Sequence, residues 1–243
     1  MIRSANPALS EKTFTQFEPV ETKMTLNGTV NKTGLMMVLL VGGGTWTWHL
    51  FYTQANFHPW MIGGLIGGLI TALITIFKKE AAPVTAPLYA AFEGLLLGGL
   101  SALFETHFPG IVIQAVMLTF GILAALLLAY RSGLIKPTEN FKLGVTAATG
   151  GICLVYIVTI ILGLFGIGIP MIHGSGLVGI GFSLFVVVIA SLNLVMDFDF
   201  IESGVEHGAP KFMEWYAAFG LMVTLVWLYL EILRLLAKLR SRD

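Results

Sequence analysis

Residues 176–198 read GLVGIGFSLFVVVIASLNLVMDF, and no charged side chain occurs before Asp197. About 20 apolar residues in a helix, at 1.5 Å per residue, match a hydrocarbon core of about 30 Å. Lipid offers the backbone no hydrogen-bonding partner, and the alternation suited to a barrel is absent, so this stretch must cross as a helix. Working outward, six more such stretches appear, near residues 34–52, 60–77, 85–104, 111–130, 143–165 and 212–236. The expected fold class is an all-α membrane protein with seven transmembrane helices spanning residues 33–238. A polar tail (1–32) precedes them and a short basic end (239–243) follows.

Composition agrees. Hydrophobic residues make up 56% of the chain and charged residues 12%. A soluble domain needs about a quarter of its residues charged to cover its surface. Short connections leave no room for a separate soluble enzyme domain. The formal net charge of zero gives no footprint for nucleic acid. Cys153 is the single cysteine, which excludes an intramolecular disulfide and a multi-cysteine zinc site. Within its apolar run it reads as a small buried hydrophobe. The tail lacks the pattern of a cleaved signal peptide, so the first apolar run is expected to remain as a span.

Lys and Arg in the connections set the orientation. The tail carries Arg3, Lys12, Lys23 and Lys32; the second connection carries Lys78 and Lys79. Arg131, Lys136 and Lys142 follow the fourth span, and Lys211 the sixth. The first, third and fifth connections have neither residue type. This asymmetry places the N-terminus in the cytoplasm of a cell membrane. Seven crossings then put the basic residues Arg234, Lys238, Arg240 and Arg242 outside, against the rule. A re-entrant final stretch would remove the conflict, but the run has no proline to break it, so a full crossing is favoured. The Asn27-Gly28-Thr29 and Asn31-Lys32-Thr33 triplets fit the glycosylation pattern but lie on the cytoplasmic tail, where they would not be used.

Small residues recur at helix-packing spacing. Gly63, Gly64, Gly67 and Gly68 form two overlapping GxxxG pairs, and Gly94 with Gly98 a third. Missing side chains let backbones approach and gain dispersion contacts.

The most informative residues are acids within apolar runs. A charge near the bilayer centre costs about 2.5 to 3.5 kcal/mol on insertion scales, so it persists beside a partner, in water, or protonated. Glu93 sits mid-span with no basic residue in its helix. A neutral interhelical hydrogen bond and an ion or proton site both remain open for it. Asp197 and Asp199 close the sixth span, about 200° apart around a helix. Asp197, between Met196 and Phe198, is expected to be partly desolvated, and Asp199 with Glu202 to be solvated. Glu214 and Glu231 stand 17 residues apart in the seventh span, about 25 Å along its axis. Antiparallel geometry puts Glu214 at the depth of Asp197. Glu231, with Arg234 three residues on, is expected to form an intrahelical ion pair. Two carboxylates meeting in low dielectric repel when both ionise and can share one proton. Such a pair could act as a pH latch or attract calcium, a hard cation that takes oxygen ligands.

Other signals are weak. Residues 174–179 fit GxGxxG, but no strand precedes them and they open a membrane helix. His58, His107 and His173 lie one in each external connection without zinc-ligand spacing, and His49 reads as a hydrogen-bonded helix residue. No HExxH, GxSxG or P-loop occurs, so no catalytic residues and no resident cofactor or metal are assigned.

Several stretches carry a family resemblance. They are Met24-Thr25-Leu26-Asn27-Gly28-Thr29-Val30, Pro87-Leu88-Tyr89-Ala90-Ala91-Phe92-Glu93-Gly94, and Gln114-Ala115 followed by Thr119-Phe120-Gly121. Leu192-Asn193-Leu194-Val195-Met196-Asp197-Phe198-Asp199-Phe200-Ile201-Glu202 is more distinctive. So is Glu214-Trp215-Tyr216 through Leu228-Tyr229-Leu230-Glu231-Ile232-Leu233-Arg234. The chain resembles the Bax inhibitor family, in its bacterial branch, from residue 6 onward. The resemblance implies a seven-helix bundle with the last helix central. For some members it implies a proton-sensitive calcium leak gated by a carboxylate pair between the last two helices. Asp197 matches the first partner. For the second, Leu228-Tyr229-Leu230-Glu231 looks like the family's Leu-Tyr-Leu-Asp, whereas depth points to Glu214; both stand.

Two functions follow as expectations. One is a pH-regulated calcium leak in a bacterial plasma membrane, with Asp197, Glu214, Glu231, Asp199 and Glu93 as ion or proton gate and calcium bound transiently. The other is a non-conducting regulator that binds a membrane protease or other membrane proteins, as some family members do. An intramembrane enzyme lacks any visible nucleophile–base pair.

Overall fold

The computed structural model describes residues 23–166 and 174–242. The tail residues Arg3 and Lys12, and His173 of the fifth connection, lie outside the described residues. Among the described residues, seven helices are long and apolar enough to cross a membrane. They are α1 (Leu26–Tyr52), α2 (His58–Phe77), α3 (Ala82–His107), α4 (Ile111–Arg131), α5 (Glu139–Leu164), α6 (Leu177–Glu206) and α7 (Met213–Arg240). The protein is a multi-pass helical membrane protein.

Several boundaries differ from those read off hydropathy. α1 begins at Leu26 instead of near Gly34, because Thr25 caps it: its side chain accepts a hydrogen bond from Gly28 N at 3.0 Å. Its first turns are polar, yet Thr29 and Thr33 return their hydroxyls to carbonyls one turn back, at 3.1 and 3.0 Å. A short 3-10 turn, Lys79–Ala81, leads into α3, which accepts Pro83 in its first turn, where an unpaired N–H would otherwise stand. α6 continues past Phe198 to Glu206, so Asp199 and Glu202 lie on helix, not beyond it. α7 is unbroken over 28 residues. It is therefore no re-entrant hairpin.

The chain forms two compact units. One holds Gly110–Met196 and residues 224–242; the other holds residues 23–109 and Asp197–Val223. α6 and α7 run through both. In the second unit, α1 and α2 each pack on α3, and glycine makes this possible. A Cβ at Gly43 would strike Ala91 O, one at Gly64 would strike Phe92 O, and one at Gly94 or Gly98 would overlap the α1 backbone at Leu40 or Gly44. Backbones this close exclude any side chain. The expected pairs are thus only partly interfacial, since Gly63 faces open space. The α1 glycines at 43 and 44, outside those pairs, supply the opposing surface.

Aromatic residues seal the rest of this unit. Tyr89 meets Phe219 edge-on, with centroids 4.9 Å apart, and Tyr216 lies 6.4 Å from Phe219. In the first unit, Ile152, Val186 and Ile189 form one buried cluster, with Tyr156, Phe182 and Trp227 against it.

The last helix is the most buried span. Within the protein lies 61% of its most apolar window, with 56% for α6 and 11% for α1 and α5. This agrees with a central final helix. The outward faces are apolar, with Leu65, Leu69, Met117, Leu128, Leu154 and Ile160 exposed. In water these would be costly; in a bilayer they meet hydrocarbon, so the exposed faces are lipid contacts. Cys153 is on such a face and exposed, not buried as its apolar run suggested. The run is apolar on all sides, so hydropathy could not show which side faces lipid.

Gly98→Ala should destabilise the protein by about 1–3 kcal/mol, the usual cost of forcing a group into packed space. Gly121→Ala, where nothing lies within 4 Å, should not destabilise it. Thermal unfolding of both variants in one detergent measures the difference.

Candidate functional site

The expected acids occupy different environments. Glu214 begins α7 and is fully buried. Its Oε1 accepts from Thr25 N at 2.9 Å, Thr25 Oγ1 at 2.8 Å and Lys211 Nζ at 2.7 Å. Its Oε2 accepts from Lys32 Nζ. Two ammonium groups and two neutral donors make this a carboxylate satisfied in its ionised form. A proton shared with Asp197, which the depth argument pictured, would have to displace a lysine. Lys211 could be found from its spacing, since residues three apart share a helical face. Lys32 could not: it is 182 residues away and reads as tail.

Glu231 is held differently. Oε1 accepts from Tyr156 Oη at 2.8 Å and from Arg234 Nη1 at 2.9 Å, while Oε2 has no donor among the described residues. The residue is only 2% exposed. Arg234 also donates to Tyr156 Oη at 2.9 Å and lies over its ring at 5.4 Å. The ion pair legible in the sequence is therefore present, with a tyrosine from α5 as its unforeseen third member. One turn further along α7, Lys238 is buried and donates to Gly179 O at 3.0 Å and Ser183 Oγ at 2.8 Å. Its spacing of seven from Glu231 puts it on the same face, a signal present in the sequence.

Asp197 is buried within α6 at 2% exposure, while Asp199 is intermediate and Glu202 exposed. Glu93, on α3, accepts a hydrogen bond from the Tyr89 hydroxyl one turn earlier. Its carboxyl faces Gly68 of α2, where a Cβ would stand 3.8 Å away. Its Oε2 is buried and lacks a donor among the described residues.

The histidines stay apart from these acids in character. His58, His107 and His49 are exposed. His107 Nδ1 lies 2.9 Å from Leu103 O, a bond within its own helix. Among the described residues, no three His, Cys, Asp or Glu side chains gather as a metal site would require.

Seven apolar helices, with buried acids on α6 and α7, define a polytopic membrane protein. Residues 6–241 match the family model described as Bax inhibitor 1 like, and the chain belongs to that family. No curated protein and no solved structure matches it.

Tyr156→Phe removes one of two donors to Glu231 Oε1 and should cost about 1 kcal/mol. Arg234→Ala should cost more, since it leaves a buried carboxylate without its cation, though half-exposure of Arg234 limits the loss. Denaturation midpoints of the two variants give the order.

Proposed function

We propose that the protein is a pH-sensitive cation leak, with calcium as the favoured ion, gated by its buried intramembrane carboxylates. One observation carries this reading. Glu231 and Glu93 each bury a carboxylate oxygen that no donor reaches among the described residues. In low dielectric an ionised oxygen without a donor is costly, so it leaves a position open to a passing cation. Asp197 is as buried as Glu231, at 2% exposure, and is the third acid of the proposed gate. A hard cation takes oxygen ligands, which these carboxyls supply. Transient rather than resident calcium suits single carboxylates better than a multidentate cage. The role is non-catalytic.

The Lys and Arg distribution supports an N-terminus in the cytoplasm, and the resemblance to the bacterial branch of the family supports a bacterial plasma membrane setting. A second reading, a non-conducting regulator of other membrane proteins, draws support from Glu214. A carboxylate committed to two lysines neither takes up nor releases a cation easily.

Purified protein in liposomes loaded with a calcium indicator should show flux that changes several-fold with pH. Asp197→Asn and Glu231→Gln should flatten that dependence, while protein content and orientation stay equal. Flux equal to that of empty liposomes at every pH would remove the leak and leave the regulator.

A further inference from the structure

Glu214 does more than neutralise two lysines, because its partners come from opposite ends of the chain's described order. Thr25, Gly28 and Lys32 belong to the start of α1; Lys211 and Glu214 belong to the start of α7. Residues 23 and 24 run in extended form beside the α6–α7 connection. Lys23 bridges Pro210 in antiparallel fashion, and Met24 N donates to Ala209 O at 2.7 Å. Gly208 makes that connection possible with φ of +64°, a left-handed conformation that glycine adopts without strain.

One hydroxyl serves both elements. Thr25 Oγ1 accepts from Gly28 N, which starts α1, and donates to Glu214, which starts α7. Gly28 is the residue that lets the acid in, because a Cβ there would fall on the Glu214 carboxylate. Lys32, one turn on, closes the other oxygen and lies 5.4 Å over the Trp215 ring. The catch itself is buried, and the segment that engages it is partly exposed. Thr25, Leu26 and Asn27 are exposed, and Lys211 is 48% exposed. Met24 and Thr29, at 2% and 1% exposure, anchor the segment, so release must withdraw these two side chains while Thr25, Leu26 and Asn27 already face outward.

We infer that residues 23–32 form a releasable strap that locks the first turn of α7, with the Glu214 carboxylate as its catch. Closed, the strap holds the start of α7 through the Thr25 and Lys32 contacts and a strand-like pairing. Open, it frees the first turn of the most buried helix in the protein. The strap stands on this geometry alone and is independent of whether the protein conducts.

Hydrogen exchange of the full chain in lipid nanodiscs tests it. Among the described residues, the Met24 amide donates to Ala209 O and the Thr25 amide to Glu214. Glu214→Gln keeps the shape of the catch and removes its charge. Both amides should then exchange about tenfold faster or more, as should those of residues 214–216, while α3 is unchanged. Unchanged rates at Met24 and Thr25 would overturn the strap. A second variant guards against misfolding. Antiparallel bridge partners have Cα atoms about 4.5–5.5 Å apart, within disulfide range. Lys23→Cys with Pro210→Cys, in a Cys153→Ser background, should therefore oxidise readily and slow exchange at residues 214–216 relative to the reduced form. Failure to form the bond, or equal exchange in both forms, would also overturn it. Calcium flux adds a readout that rests on the leak reading: the oxidised form should pass calcium several-fold more slowly than the reduced. Absence of flux in wild type counts against the leak and leaves the strap to the exchange result.

Discussion

A bilayer gives a polar group nothing to bond to, and most features of this chain follow from that constraint. Hydroxyls inside the spans turn back on their own helices. Thr71 donates to Gly67 O at 2.7 Å, Thr75 to Thr71 O at 2.7 Å, and Thr119 to Ala115 O at 2.8 Å. Where a neighbouring helix offers a partner, the bond crosses instead. Thr75 and Thr85 meet at 2.7 Å between α2 and α3, and Asn193 Nδ2 of α6 reaches Thr149 Oγ1 of α5 at 2.9 Å. These bonds make apolar helices specific for one another, which dispersion alone does poorly.

The same constraint sorts the acids. Glu214 receives donors on both oxygens and is at rest as an anion. Glu231 receives both of its donors on one oxygen, so its two sides differ chemically. Two carboxylates on one helix are thus held differently, one with donors on both oxygens and one with donors on a single oxygen. Burial alone would not separate them, since both are almost wholly buried. The donors decide.

Close approach between helices follows the same economy. Between hydrocarbon and protein there is no hydrophobic gain, so helices adhere where backbones can touch. Gly43, Gly64, Gly94 and Gly98 meet carbonyl groups directly, whereas Gly121, Gly144 and Gly150 face open space. Gly28 is a separate case, left bare for a carboxylate instead of a helix.

The seven crossings, their helical nature and the Glu231–Arg234 pair were determined by the sequence alone. Apolar run length and residue spacing along one helix are local quantities, legible without a fold. The same holds for the glycine pairs as packing candidates. Which of these glycines meet a backbone, that Cys153 faces outward, and that α1 starts at Leu26 were decided by tertiary structure. So were the meeting of Lys32 and Thr25 with Glu214 and the bond from Tyr156 to Glu231. A hydropathy profile has no azimuth in a helix apolar on every side, and spacing carries no record of which helices become neighbours. Partners 182 and 75 residues apart are chosen only when the chain folds and every buried polar group must find a donor inside it.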